Sequence, residues 1–368
     1  MFRRPEILIV FAAMVLSGCK SMPLSNDQPY SQFIGFAQFT SFTTSRNSNG
    51  EIVLLSPEIK TTGEWNQLIV SWNTAAPAGS YVKVEAEAEG PNFATSFYTM
   101  GVWSPDDKSF PRASASDQND AMGTVDTDTL VLKHKATAVR IRLTLGGAAG
   151  ALPSMKFLGL SFCNTDVAPV PVESDHSAWG QNIPVVERSQ QSYAGGNGWC
   201  SPTSLSMALA YWGSRSGRPE WDLDAPEVAA GVFDHNFKKA TGNWSFNTAF
   251  AGHLDGMRAY VTRFDDIAEL EDWIKAGIPV IISARYDLLQ DGRAEDLNGH
   301  LTVCCGFTET GDLIINDPWT DLKVESVRHI YKRENVRRAW ATSHNTVYLV
   351  YPEKLEVPPD RLGHWFSP

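Results

Sequence analysis

Strict alternation between apolar and polar residues is the feature that most limits how the first half of this chain can fold. Residues 82–89 alternate small apolar side chains with lysine and glutamate, and residues 139–145 alternate in the same way. A period of two predicts half-buried strands, because successive side chains of a strand point to opposite faces. Turns rich in Gly, Pro and Asn separate such segments, and no convincing amphipathic helix interrupts them. We therefore predict an all-β, sandwich-like domain over residues 31–165.

A different pattern follows a polar stretch at residues 166–182, whose prolines predict a linker between domains. Residues 183–358 alternate helical and strand patterns, which predicts an α+β domain. One helix is expected at 202–212. Another is expected to open on a capping box formed by Asp266 and Glu269, in which each side chain bonds to the backbone N–H of the other residue.

The N-terminus has the pattern of an exported protein. Arg3 and Arg4 precede an unbroken apolar run at residues 7–16. This run is shorter than the roughly 20 residues that a transmembrane helix needs, and it suits the apolar core of a signal peptide.

The four residues at the end of that run, Leu-Ser-Gly-Cys, resemble the lipobox of bacterial lipoproteins. The resemblance implies a signal peptide over residues 1–18, a lipid on the Cys19 thiol and a short tether over residues 19–30. Several acyl chains hold a protein firmly in a membrane. The expected location is therefore the cell envelope, on the extracytoplasmic side of the cell membrane or on the outer membrane.

The net charge and the cysteine spacing limit which partners, metals and cofactors the chain is expected to bind. A net charge of −11 without a basic cluster disfavours nucleic acid, which needs a concentrated positive surface. Cys304 and Cys305 lie in an apolar run and are predicted to be small core residues. The sequence has no C-x-x-C pair and no H-E-x-x-H, so we expect no metal and no cofactor. No residue of the β domain indicates its ligand.

Cys200 is the first candidate for chemistry. A glycine-rich stretch at residues 195–198 leads to it, and Ser201 and Pro202 suit the first turn of a helix. Free N–H groups and the positive end of the helix dipole favour the thiolate form of a cysteine at that position, and the thiolate is the nucleophile.

A histidine and a carboxylate are predicted to meet across a hairpin. His300 opens an apolar strand at 301–307, and Asp317 follows the next strand at 313–316. A four-residue turn would make them diagonal neighbours on one face, with Cα atoms about 7–8 Å apart. A five-residue turn would change the register but keep them near one another. Such a carboxylate holds an imidazole in the tautomer that a general base needs.

Trp-Cys-Ser-Pro-Thr at 199–203, Gly-His at 299–300 and Asn-Asp-Pro at 316–318 resemble, in this order, the C39-like branch of the papain-like cysteine peptidases. The resemblance implies a papain-like fold, with Cys200 as nucleophile, His300 as general base and later acid, and Asp317 as the orienting residue. The family also uses a glutamine before the cysteine to bind the oxyanion.

Gln190 is the choice for that glutamine here, although it lies farther from Cys200 than is usual in the family. The glycine-rich insertion could loop out and absorb the difference. Gln191 is its neighbour, and Asn197 is a weaker substitute.

The predicted function is that of a membrane-anchored cysteine peptidase that cleaves a peptide, a protein or another amide. The sequence has no phosphate-binding loop and no transmembrane bundle, so the role of exporter-fused C39 peptidases does not transfer. Two alternatives stay open: an acyl or peptidyl transferase on the same scaffold, and an inactive lipoprotein that binds cell-wall glycan or protein. Trp244, Trp319 and the loop at 286–298 could line a cleft, but packing is the favoured interpretation for each.

Overall fold

The structure is a computed structural model that describes residues 28–115, 117–237, 240–290, 292 and 299–367. The predicted signal peptide, Cys19 and the tether as far as residue 27 lie outside the described residues. Among those described, no helix is long and apolar enough to cross a membrane.

The first domain is built from strands, as predicted, with one short 3-10 turn at Ala148–Gly150 in its described part. Its strands are β1 (Ser31–Phe36), β2 (Thr43–Arg46), β3 (Ile52–Leu55), β4 (Ile59–Ala75), β5 (Ser80–Gly90), β6 (Phe93–Ala94), β7 (Tyr98–Trp103), β8 (Gly123–Asp126), β9 (Thr129–Gly147) and β10 (Ser154–Cys163).

The two alternating segments that predicted strands lie in β5 and β9, which pair antiparallel over ten residues. The apolar residues of the alternation at 82–88 are fully buried. On the other face, Glu85 lies opposite Arg142 and accepts two hydrogen bonds from its guanidinium, at 2.7 and 2.8 Å. A bidentate pair of this kind fixes the register as well as the charge balance.

The prediction of a sandwich needs a correction, because the strands form one hydrogen-bonded network instead of two separate sheets. The long strand β9 causes this: it pairs with β4 through its first half and with β5 and β3 through its second. Register shifts in β4 bend the pairing at residues 60–67. Trp65, Trp72 and Phe162 fill the core that this bent network encloses.

The second domain mixes helices with a six-stranded antiparallel sheet, as the α+β prediction requires. The sheet order is β11-β16-β12-β13-β14-β15. The strands are β11 (Met257–Arg263), β12 (Val280–Arg285), β13 (Gly299–Phe307), β14 (Leu313–Asn316), β15 (Arg328–Tyr331) and β16 (Thr346–Pro352), and the helices are α1 (Cys200–Ser216), α2 (Ala225–Val232), α3 (Trp244–His253), α4 (Ile267–Lys275), α5 (Tyr286–Gln290) and α6 (Arg333–Ala341).

Several local predictions in this domain are confirmed. The capping box of α4 is formed in both directions by Asp266 and Glu269, and Gly277 takes a left-handed φ of 76° just after the helix. Cys304 and Cys305 are fully buried free thiols in β13. Helix α1 is buried from Ser201 to Gly213, and it lies against β13.

The two domains pack closely on one another. Helix α3 of the second domain lies on β4 of the first, where Phe246 contacts Trp72 edge to face. Asn73 donates to the Ala259 carbonyl at 2.7 Å, and a Cβ on Gly252 would lie 2.0 Å from the Asn73 side chain. This approach is too close for any residue but glycine.

Segments that the sequence assigned to neither domain are also docked. In the predicted linker, Trp179 donates to the Glu271 carboxylate at 2.9 Å. After residue 358, a short strand β17 (Trp365–Phe366) pairs parallel with β1 of the first domain. The chain therefore returns from the second domain to the sheet of the first.

Candidate active site

Cys200 is the first residue of α1, as predicted from the proline and serine that follow it. The chain reaches it through Gly195 and Gly198, both in the left-handed region at φ 85° and 88°. The side chain is half-buried, and the N–H groups of Ser201 and Leu301 donate to its sulfur. Two backbone donors and a helix N-terminus favour the charged form of a thiol.

His300 and Asp317 lie in contact, with 2.7 Å between the imidazole Nε2 and the carboxylate Oδ1. The turn between their strands has five residues, since Phe307 pairs with Leu313, which is one of the two lengths that the sequence left open. A register shift at Cys305 then restores the pairing that the shorter turn would have given.

Asp317 accepts two further hydrogen bonds. The Tyr331 hydroxyl donates to Oδ2 at 2.7 Å, and the Trp319 N–H donates to Oδ1 at 2.9 Å. All of its partners are donors, which suits a buried ionised carboxylate. Because Nε2 of His300 is occupied by Asp317, Nδ1 is the ring nitrogen left to bond to the Cys200 thiol.

The pKa values in this triad favour a charged pair. Burial alone would raise the pKa of the Cys200 thiol, but the hydrogen bond and charge of His300 outweigh it and lower that pKa below its usual value. Burial opposes the charge on His300 too, yet Asp317 raises the pKa of the imidazole to about 10. Burial works against the charge on Asp317, and His300 outweighs it and lowers the pKa of this carboxyl to about 2. The shifts of Cys200 and His300 both act in the direction of a thiolate beside an imidazolium.

Gln190 lies on the wall of the same cleft as Cys200, because the glycine-rich stretch folds back on it. Its Nε2 donates to the Gly196 carbonyl at 2.9 Å, which leaves one N–H of the amide without a protein acceptor in the described part of the chain. A Cβ at Gly196 would lie 1.9 Å from the Gln190 carbonyl oxygen, so the fold-back requires glycine. The Gln190 N–H donates to the Pro318 carbonyl at 2.9 Å, which joins this residue to the loop after Asp317.

The cleft around Cys200 has a volume of about 1170 Å³. Trp244, Trp319 and Tyr286 line it, so packing was the wrong interpretation for these three residues. Asn197 also lines it, and Gln191 bonds to the Trp319 carbonyl outside it. In the loop at 286–298, residues 291 and 293–298 lie outside the described residues.

The first domain contributes one wall of the cleft, which sequence reasoning missed. The turn from β8 to β9 brings Asp126, Thr127 and Asp128 to it. Asp128 accepts the N–H of Trp244 at 2.5 Å and so caps α3 of the other domain; burial raises the pKa of its carboxyl to about 7. No local pattern near residue 128 signals this role, since its partner lies more than a hundred residues away.

Comparisons with known proteins match two family models to different parts of the chain. Residues 39–162 match the family model described as the peptidase C39 N-terminal domain, and residues 181–348 match that of the Peptidase_C39 like family. The chain is thus similar to a peptidase C39 N-terminal domain in its first part and to the Peptidase_C39 like family in its second, which suggests a peptidase.

Similar solved structures share little sequence with this chain. A C39-like peptidase from Bacillus anthracis is 19% identical, with a TM-score of 0.37, and the match covers 48% of this chain and 99% of that one. A chain from the structure of infectious bursal disease virus Gx strain is 11% identical, with a TM-score of 0.23, and the match covers 44% of this chain and 38% of that one. A family two carbohydrate esterase from Cellvibrio japonicus is 14% identical, with a TM-score of 0.16, and the match covers 42% of each chain. No curated protein matches.

Proposed function

We propose that this protein is a cysteine peptidase that hydrolyses a peptide or amide bond through an acyl-enzyme on Cys200. The contact chain from Cys200 through His300 to Asp317 carries the proposal. It places a thiol of lowered pKa, a histidine and an ionised carboxylate in series on the wall of one cleft. Such an arrangement activates a nucleophile without any cofactor.

Each residue of the triad has a distinct part in the proposed reaction. The Cys200 thiolate attacks the carbonyl carbon, and the imidazolium of His300 gives its proton to the leaving amine. The neutral imidazole then takes a proton from water, which attacks the thioester and releases the acid. Asp317 keeps the ring oriented and stabilises its charged form throughout.

The oxyanion is proposed to bind between the backbone N–H of Cys200 and the remaining N–H of Gln190. The Cys200 N–H belongs to the first turn of α1, and Gln190 lies in the segment packed beside it. Buried donors held in place by other contacts cost little reorganisation when charge develops on the carbonyl oxygen. Gln190 meets this condition because its exposed fraction is only 1%.

The cleft suits a peptide with apolar side chains. Its volume slightly exceeds the usual range of about 300–1,000 Å³ for small-molecule sites. Aromatic and alanine side chains line much of its wall, including Trp199, Phe233 and Phe237. An extended segment of peptide or protein is therefore the proposed substrate class.

A thiol-directed epoxide tests the nucleophile. We expect it to label Cys200 in the wild type and to fail after His300→Ala, because the thiol then loses the partner that lowers its pKa. The other described cysteines, which are Cys163, Cys304 and Cys305, are buried and should stay unlabelled, and Cys200→Ala provides the blank. Equal labelling of the wild type and His300→Ala would reject an activated nucleophile.

Product analysis separates the alternatives. Peptide mixtures incubated with enzyme should yield free acids. A ligated product after addition of an amine acceptor would identify a transferase instead. Labelling of Cys200 without any turnover, together with glycan or protein capture by the Cys200→Ala chain, would support a binding lipoprotein.

The location is part of the proposal. We expect Cys19 to carry lipid and to hold the protein in the cell envelope, as the lipobox implies. Labelled palmitate should be incorporated into the wild type and lost in Cys19→Ala, while Cys163→Ala should keep it. Incorporation of labelled palmitate into both Cys19→Ala and Cys163→Ala would show that the lipid is attached elsewhere.

A further inference from the structure

A buried cluster outside the cleft brings together Asp265, Glu269 and His364. Asp265 lies just after β11, Glu269 is in α4, and His364 directly precedes β17 at the end of the chain. Each of these residues is at most 6% exposed. Their ligand atoms, one from each residue, all lie within 4.8 Å of one another.

The imidazole of His364 is aimed into this cluster without a hydrogen-bond partner for its Nε2 among the described residues. That nitrogen lies 3.6 Å from Glu269 Oε1 and 3.8 Å from Asp265 Oδ1, which is too long for a hydrogen bond. Ligands placed about 2.0–2.2 Å from a tetrahedral Zn²⁺ lie about 3.3–3.6 Å from one another. The spacing of the three atoms is therefore close to that of a metal site.

The second ring nitrogen has the partner that a metal-binding histidine usually has. Nδ1 of His364 lies 2.8 Å from Oδ1 of Asp360. A carboxylate there fixes the tautomer that leaves the Nε2 lone pair free for a metal. Asp360 is held in turn by the N–H groups of Leu362 and Trp365.

Charge also favours a cation. In the described part of the chain, Asp265 and Glu269 have no lysine or arginine within ion-pair distance, and His364 is their basic neighbour. Asp265 accepts hydrogen bonds from Ser31 and from the Val170 N–H, and these neutral donors do not cancel its charge. Two buried carboxylates that share one histidine are costly without a further positive charge.

We propose that Asp265, Glu269 and His364 bind a divalent transition-metal ion, with Zn²⁺ as the best fit to two carboxylate oxygens and one imidazole. A narrow crevice lined by Glu269 and Asp360 borders the cluster. Since Ser31 belongs to β1 and the Phe33 N–H donates to the His364 carbonyl, the ion fastens the end of the chain to both domains. The site is independent of the proposed peptidase activity.

Metal analysis of the full-length chain tests the proposal, in a Cys200→Ala background so that the active-site thiol binds no zinc. We expect one Zn²⁺ per chain and a melting temperature that falls by several degrees with a chelator. His364→Asn keeps an amide N–H near the position of Nδ1–H, opposite Asp360, but has no atom at Nε2. This variant should bind no Zn²⁺, and its melting temperature should not respond to the chelator.

Three controls keep the result interpretable. His134→Asn changes an exposed histidine and should bind Zn²⁺ as the parent does. Asp360→Asn should weaken Zn²⁺ binding about 10–100-fold, as expected for loss of a carboxylate behind a ligand. Ca²⁺, which prefers an all-oxygen site, should not replace Zn²⁺. The proposal would be overturned if the chelator-treated parent took up no more Zn²⁺ than His364→Asn while the two proteins had the same circular dichroism spectrum.

Discussion

Replacing Asp317 with asparagine tests whether the carboxylate charge sustains the thiolate of Cys200. The substitution keeps the shape of the site. Its amide oxygen can accept from His300 and the Trp319 N–H as Oδ1 does, and its amide nitrogen can donate to the Tyr331 hydroxyl, which rotates to accept. The charge is the main property lost, so the change in reactivity measures that charge.

The structure gives the size of the expected effect. The pKa of Asp317 is lowered from 3.8 to about 2, and each pKa unit corresponds to 1.36 kcal/mol, so the pairing with its donors is worth about 2 kcal/mol. The pKa of His300 rises further, to about 10, because the Cys200 thiolate acts on it as well. We therefore use the smaller value, which corresponds to about a 30-fold lower population of the thiolate–imidazolium pair.

The assay is the second-order rate of Cys200 alkylation as a function of pH. In the wild type, the alkylation rate should rise at a pH below the usual thiol pKa, because the lowered pKa of Cys200 makes the thiolate available at that pH. In Asp317→Asn, the rate at pH 6 should fall about 30-fold. It should recover at high pH, where the thiol ionises without help. Glu325→Gln, which removes an exposed charge from the loop before β15, should follow the wild type. A profile for Asp317→Asn that superimposes on the wild type from pH 5 to 8 would refute this reasoning.

Two further predictions concern turnover. Gln190→Ala should lower kcat/KM about 10²–10³-fold, because an oxyanion donor is lost. The rate of Cys200 alkylation by iodoacetamide should stay within about threefold of the wild-type rate, since alkylation forms no oxyanion. An equal loss in both assays would mean that Gln190 only supports the fold. Trp319→Ala should raise KM about 5–10-fold with little change in kcat, because the ring is exposed on the cleft wall and loses about 1 kcal/mol of contact with the substrate. A fall in kcat with KM unchanged would place Trp319 in support of Asp317 instead.

The sequence predicted what depends on neighbouring residues. The helix start at Cys200 needs only the glycines before it and the proline after it, and the hairpin with His300 and Asp317 needs only two apolar runs and a turn. These features have local physical causes, so they can be read without the rest of the chain. The sequence left the turn length open between four and five residues, and nothing in it marks the register shift at Cys305 that compensates for the fifth residue.

Contacts between distant segments were beyond such reasoning. The turn that carries Asp128 follows a β pattern like any other, and its position beside Trp244 depends on how the two domains pack. The cluster of Asp265, Glu269 and His364 has the same character. Asp265 and Glu269 lie close together in sequence, but His364 lies far along the chain, so the three form no recognisable metal motif. The return of β17 to the first domain brings them together.

The packing of the two domains also changes how the N-terminal domain should be understood. A separate binding module would leave the cleft intact when it moves, but here residues 126–128 form part of the wall, and Asp128 caps the helix that begins with Trp244. Movement between the domains would change the cleft and remove the acceptor for the first N–H of α3 at the same time. The shape of the cleft is therefore coupled to the domain interface, and the N-terminal domain forms part of the candidate active site.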